Sequence, residues 1–307
     1  MNNVLIIGNG FDLDLGLSTR YSDFYKSSYW PFSHRNTPLA KFLENKFEIN
    51  DWLDVEEALA EYSKKTFIIN TDASKYDEAD FDTLKNSFNK YILREQESFE
   101  YKESIASRLL AAVLDNGYFE DIFSFNFTDL NFIAKDKLGI KKKFDYSHVH
   151  GKAVDGTAIL GVGDYADVRE EDDFMYKSFA KSYSPPLMIP TLLDANRVII
   201  FGMSLGKVDY QYFDDFFKRV IVGYADDSIG DCKDIIIFTY NEISRRKILR
   251  NLQNMTGNKL GRLYTRSNFR IYCTAEGIDE CAISELIKDL KVNSRVNRER
   301  KMRLRYH

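Results

Sequence analysis

Four residues near the start of the chain, Val4 to Ile7, constrain its fold more than any other stretch. They are apolar without alternation and stop abruptly at Gly8-Asn9-Gly10. Such a run reads as a strand buried on both faces, which requires helices packed above and below it. Two glycines at its carboxyl end let the backbone turn tightly and come close to a ligand, as in the nucleotide-binding turn of open α/β sheets. Gly-x-Gly is only half of a dinucleotide fingerprint, and a tight strand-to-helix turn with no ligand needs the same residues.

Further apolar runs repeat the first. Strands are predicted at Asp121–Phe125, Phe144–Val149, Thr157–Gly161, Asn196–Phe201, Asp234–Thr239 and Phe269–Cys273, with helices at Tyr210–Val222, Glu242–Gln253 and Asp279–Leu290. Strands that are continuously apolar and alternate with helices specify an α/β fold, a mostly parallel Rossmann-like sheet with helices on both faces. Between the first two strands the periodicity is helical from about residue 39 to 116. There Trp52–Leu59 follows a cap at Asn50 or Asp51, and Phe81–Phe99 and Tyr101–Leu114 repeat the i, i+3, i+4 spacing, ending at Asn116-Gly117. The polar span Asn70–Asp80 reads as a connecting loop. Ahead of these helices, Gly16 limits Asp12–Leu15 to one short turn, Thr19 or Ser22 caps a helix through Tyr25, and the surroundings of Trp30-Pro31 and Thr37-Pro38 read as loop. The expected organisation is one domain over 1–290 carrying a helical insertion, the alternative being a separate helical domain, with a basic tail at 291–307.

Composition narrows the function classes. The 307 residues are 44% hydrophobic, 29% charged and 14% aromatic, enough to build a large core. A net charge of −4 gives no global attraction to nucleic acid or an anionic membrane. No apolar run approaches the length of a membrane span, and the sequence enters its first strand directly, without the pattern of a signal peptide. Cys232, Cys273 and Cys281 form no Cys-x-x-Cys pair, so no structural zinc site or disulfide framework is expected, and a reducing cytoplasm is the expected location. The tail carries five arginines and Lys301 against Glu299, which suits a solvated end or a contact with nucleic acid or an acidic partner.

Candidate chemistry gathers at strand ends. Asn126 and Asp129 follow the second strand, His148 and His150-Gly151 close the third, and Gly202, Ser204 and Asp209 follow the run Val198–Phe201. In a parallel sheet all of them reach the carboxyl edge where Gly8, Asn9, Gly10, Phe11 and Asp12 lie. His148 and His150 alternate, so they face opposite sides and cannot share a metal ion; His150, beside a glycine, is the one expected in a cleft. Asp23, Asp54 and Glu56 are further acidic candidates, although Trp52-x-Asp54-x-Glu56 also reads as a helix start with favourable acids. No acidic residue sits after Gly10 where a dinucleotide redox fold needs one, which argues against a dehydrogenase.

Gly8-Asn-Gly-Phe-Asp12, Gly16-Leu-Ser-Thr-Arg-Tyr-Ser-Asp-Phe24, Trp52-x-Asp54-x-Glu56, Phe125-Asn126, His150-Gly151 and Gly202-Met-Ser-Leu-Gly-Lys-Val-Asp209 together resemble the AbiH family of bacterial abortive-infection proteins, from residue 1 to about 240. A more distant similarity joins the Gly8–Gly10 turn, Asn126 with Asp129, His150-Gly151 and Gly202-x-Ser204, in that order, to sirtuin-like NAD-consuming domains. Asp129 lies one residue further from Asn126 than that pattern has it, and the four zinc cysteines of sirtuin deacetylases are missing.

These resemblances imply a sirtuin-like sheet and a phage-defence effector that binds and hydrolyses NAD, as substrate and not cofactor, or a related nucleotide. Asn126 and His150 would be the catalytic residues. Gly8, Asn9 and Gly10 would cradle the phosphates, while Phe11, Asp12, Asp129, Gly202, Ser204 and Asp209 complete the nucleotide site. A phage-derived trigger and a homo-oligomer are compatible with this reading. Its rivals are a nucleotide sensor without catalysis and an effector directed at nucleic acid through the tail.

Overall fold

The first strand is as apolar inside as its sequence demands: β1 (Asn3–Ile7) is buried along its whole length. It pairs in parallel on one side with β2 (Asp121–Ser124) and on the other with β4 (Arg197–Phe201). β3 (Ser147–His148) extends β2, and β5 (Asp234–Thr239) and β6 (Asn268–Cys273) extend β4, all in parallel. The order β3-β2-β1-β4-β5-β6 is that of a doubly wound nucleotide-binding sheet, with its direction of winding reversing between β1 and β4. The computed structural model describes residues 2–49, 54–64, 73–114, 118–141, 143–223, 232–275, 277 and 279–290. Asn50, Asp51, Trp52, Asn116-Gly117 and the tail at 291–307 fall outside the described residues.

Alternation along β1 divides the core. Leu5 and Ile7 face α1 (Asn9–Leu15), α6 (Ile105–Leu114), α7 (Leu130–Leu138) and the final helix over residues 280–290. Val4 and Ile6 face α8 (Met188–Asp194), α9 (Tyr210–Val222), α10 (Glu242–Met255) and α11 (Gly261–Arg266). A third core lies off the sheet. It packs α2 (Tyr21–Lys26), α3 (Pro38–Ile49), α4 (Val55–Lys64) and α5 (Ala73–Ser98) with Leu160, Val162 and Met175 from the irregular stretch after β3. The insertion is therefore anchored from two directions along the chain, and it stands above the carboxyl edge of the sheet.

Local readings differ from the sequence expectation in six places. α1 begins at Asn9 and runs two turns, because Gly16 at φ 107° ends the helix where the sequence suggested only a short turn. Arg20, not Thr19 or Ser22, precedes α2, and the Asp23 carboxylate accepts the Arg20 N–H at 3.1 Å. Pro38 opens α3 instead of sitting in a loop, as its fixed φ allows at a first helical position. The span read as a loop to Asp80 is already helix from Ala73. Thr157–Gly161 forms no strand: Ala158 and Ile159 donate to Lys152 and His150 carbonyls, while Ile159 and Leu160 are buried. β3 is also shorter than expected. Asn131 bonds both backbone groups of Phe144 and so replaces a ladder there.

Candidate functional site

The ends of β1, β2 and β4 are stitched into one another. The Gly8 N–H donates to the Phe201 carbonyl and the Gly10 N–H to the Gly202 carbonyl, both at 2.9 Å. A Cβ on Gly10 would lie 2.6 Å from the Gly202 Cα, and one on Gly8 2.5 Å from Met203. Gly202 itself adopts φ 71°. The glycines thus exist first for backbone-to-backbone contact between the two strand ends. From β2, the Asn126 amide Nδ2 donates to Asp12 at 2.7 Å and to the Gly8 carbonyl at 3.1 Å, while the Thr128 hydroxyl donates to the other Asp12 oxygen at 2.9 Å. Burial drives the Asp12 pKa up to about 7 against the opposing pull of these two donors.

Above these ends opens a cavity of about 230 Å³, lined from the sheet by Gly8, Asn9, Asn126 and Gly202. Tyr21 of α2 and Asp54 and Glu56 of the insertion contribute to its wall, and the stretch after β3 contributes His150 and Lys177. It lies at the reversal of strand order, the place where doubly wound sheets hold nucleotides. Lys177 Nζ meets both Glu56 oxygens, at 2.7 and 2.8 Å, and both side chains are buried. Burial raises the Glu56 pKa to about 7 in spite of Lys177. Asp209, at the start of α9, is likewise raised to about 7 by burial, with Lys177 opposing and Glu56 reinforcing.

His150 is held edge-on against Phe125 and Tyr212, at 5.5 and 5.9 Å between centroids. Burial and then the Lys177 charge push its pKa well below that of a free imidazole, so the ring is neutral at pH 7. Two buried polar atoms in this lining have no hydrogen-bond partner, Asn126 Oδ1 and His150 Nδ1. Buried polar atoms are nearly always paired, so two such atoms on residues that line one cavity are a distinctive feature of it.

The cavity brings together Gly8, Asn9, Asp12, Asp54, Glu56, Asn126, His150, Gly202, Ser204 and Asp209 from the residues singled out in the sequence. Gly10, Phe11, Asp129, His148 and Asp23 lie outside its lining. Gly10 is sealed against Gly202, and Phe11 is wholly buried in the core, edge-on to Phe201. Asp129 caps α7 through the N–H groups of Asn131 and Phe132 and accepts the Tyr146 hydroxyl at 2.9 Å. A phosphate cradle of Gly8, Asn9 and Gly10 is also corrected, since the N–H groups of both glycines already serve β4. His148 turns away: its Nδ1 lies 3.2 Å from the Asn126 carbonyl and so donates to it. Lys177 is the member that sequence reasoning missed, because it sits in a stretch with neither periodicity nor motif. Among the described residues no group of three metal-ligating side chains is present.

Residues 4–226 match the model of a family described as bacteriophage abortive infection AbiH. A search of curated protein sequences gives no match. Among solved structures, the chain resembles a crystal structure of a Sir2 homolog–NAD complex at 12% identity and a TM-score of 0.39, over 96% of this chain and 90% of that one.

Proposed function

We propose, from the premise that this chain belongs to the bacteriophage abortive infection family AbiH, that its cavity binds NAD or a related nucleotide and hydrolyses the N-glycosidic bond. The observation that carries this reading is the pair of unpartnered buried atoms, Asn126 Oδ1 and His150 Nδ1, on one cavity at the switch point of the sheet. Asp12 and the Gly8 carbonyl hold the Asn126 Nδ2, which fixes the amide and leaves Oδ1 to accept from a ribose hydroxyl or a water. His150 would take the proton from that water while its oxygen bonds to the ribose anomeric carbon. The bond to the pyridinium nitrogen breaks in the same process, its electron pair neutralising the departing ring. A cavity of about 230 Å³ suits the nicotinamide–ribose end, and the rest of the nucleotide would extend toward Ser204.

Removal of a general base typically costs about 10²–10⁴-fold. Purified wild-type protein, with and without extract of infected cells, is expected to release nicotinamide from NAD, and His150→Ala and Asn126→Ala to lose that rate by about this factor. His150→Ala turning over NAD at the parental rate overturns the mechanism. A second reading, a nucleotide sensor without turnover, is favoured by one feature: burial, and after it the Lys177 charge, lower the basicity of His150. Saturable NAD binding with no nicotinamide released under either condition would decide for it. A trigger that arises on infection is part of both readings.

A further inference from the structure

The charge on the cavity wall is one-sided. Among its described lining residues are four carboxylates, Asp12, Asp54, Glu56 and Asp209, and one ammonium, Lys177. Both Asp12 oxygens are taken by Asn126 and Thr128, which leaves Asp54, Glu56 and Asp209 as one electrostatically coupled group around Lys177. Lys177 neutralises a single member of it. Phe88, Phe125 and Tyr21 supply ring surface in the same lining. Carboxylates together with aromatic rings around a partly dry space are what stabilises a delocalised cation, whereas a phosphate there would meet like charge.

We propose that this wall recognises the positively charged pyridinium ring of an oxidised nicotinamide nucleotide, and so selects the oxidised cofactor over its uncharged, reduced counterpart and over nucleotides with neutral bases. The proposal rests on the nucleotide reading above and adds to it the chemical class of the buried end. It also places the phosphates outside the cavity, in keeping with the occupied N–H groups of Gly8 and Gly10.

Protons provide an independent signature. Burial raises Glu56 and Asp209 to about 7, so each is partly protonated at neutral pH. The groups around them are Asp54 from the insertion, Tyr21 from α2, Lys177 and Tyr165 from the stretch after β3, and the neutral His150. A bound cation favours the ionised carboxylates, lowers their pKa values and releases protons. A neutral ring does not.

The test compares two small probes of nearly the same shape, 1-methylnicotinamide, a cation, and nicotinamide, which is neutral, by calorimetric titration of the full-length protein in two buffers of different ionisation enthalpy. The cation is expected to bind about tenfold tighter or better, with proton release at pH 7. Glu56→Gln and Asp209→Asn, each checked by thermal unfolding, are expected to reduce that preference and the proton count. Equal affinity for the two probes, tighter binding of nicotinamide, or binding of neither would overturn the proposal. NAD cleavage is scored separately. Cation preference without nicotinamide release leaves this inference standing and removes the hydrolase reading; release of nicotinamide without cation preference does the reverse.

Discussion

Gly10 illustrates how a single residue can carry a family signature for a reason other than ligand contact. Its missing side chain admits the Gly202 backbone, and its N–H closes a 2.9 Å bond to the Gly202 carbonyl. Gly10→Ala is expected to lower stability by about 1–3 kcal/mol, as other overpacked sites do, because the clash is with backbone and not with a movable side chain. Thermal or urea unfolding checks this, and an unchanged midpoint contradicts it. Ser204, by contrast, keeps an exposed side chain while its carbonyl accepts from Asn251 at 2.9 Å. The sequence motif around Gly202 is thus partly a device for joining β1 to β4 and partly the floor of the cavity.

At the scale of elements, the buried pair of Glu56 and Lys177 joins the insertion to the stretch after β3. Removing Lys177 leaves the Glu56 carboxyl buried without its hydrogen-bonded partner, and Lys177→Met is expected to cost about 1–3 kcal/mol. Glu56→Leu combined with Lys177→Met is expected to cost much less, since apolar replacement of both members of a buried pair is often close to neutral. Unfolding midpoints of the single and double variants decide the matter; a double variant no more stable than the single would contradict it. Much of the element layout was legible beforehand. β1, β4 and β5 announce themselves as unbroken apolar runs because both faces of the sheet are covered there, whereas the edge strand β6 carries Arg270 and is only partly buried. Thr157–Gly161 misled for the same reason: Ile159 and Leu160 are buried, Leu160 in the third core, and burial there requires no strand pairing. Lys177 was not legible at all. A lone lysine in an irregular segment acquires meaning only when Glu56, more than a hundred residues earlier, is folded against it.

For the whole molecule, the doubly wound order creates a crevice between β1 and β4, and the insertion closes over it. Strand ends from distant parts of the sequence then deliver Asn126, His150 and Asp209 to one space. That convergence was foreseeable from parallel strands alone, whereas the acidic wall depends on how the insertion docks. No helix among the described residues is long and apolar enough to cross a membrane. Membership in AbiH sets the biological frame, an abortive response to bacteriophage. In that frame the most direct measurement is the NAD and nicotinamide content of phage-infected bacteria that carry the wild-type chain or Asn126→Ala at equal protein levels. The expected result is a fall in NAD with a matching rise in nicotinamide after infection, confined to the wild type and accompanied by protection of the culture. Protection by the wild type with NAD unchanged throughout infection would contradict the account.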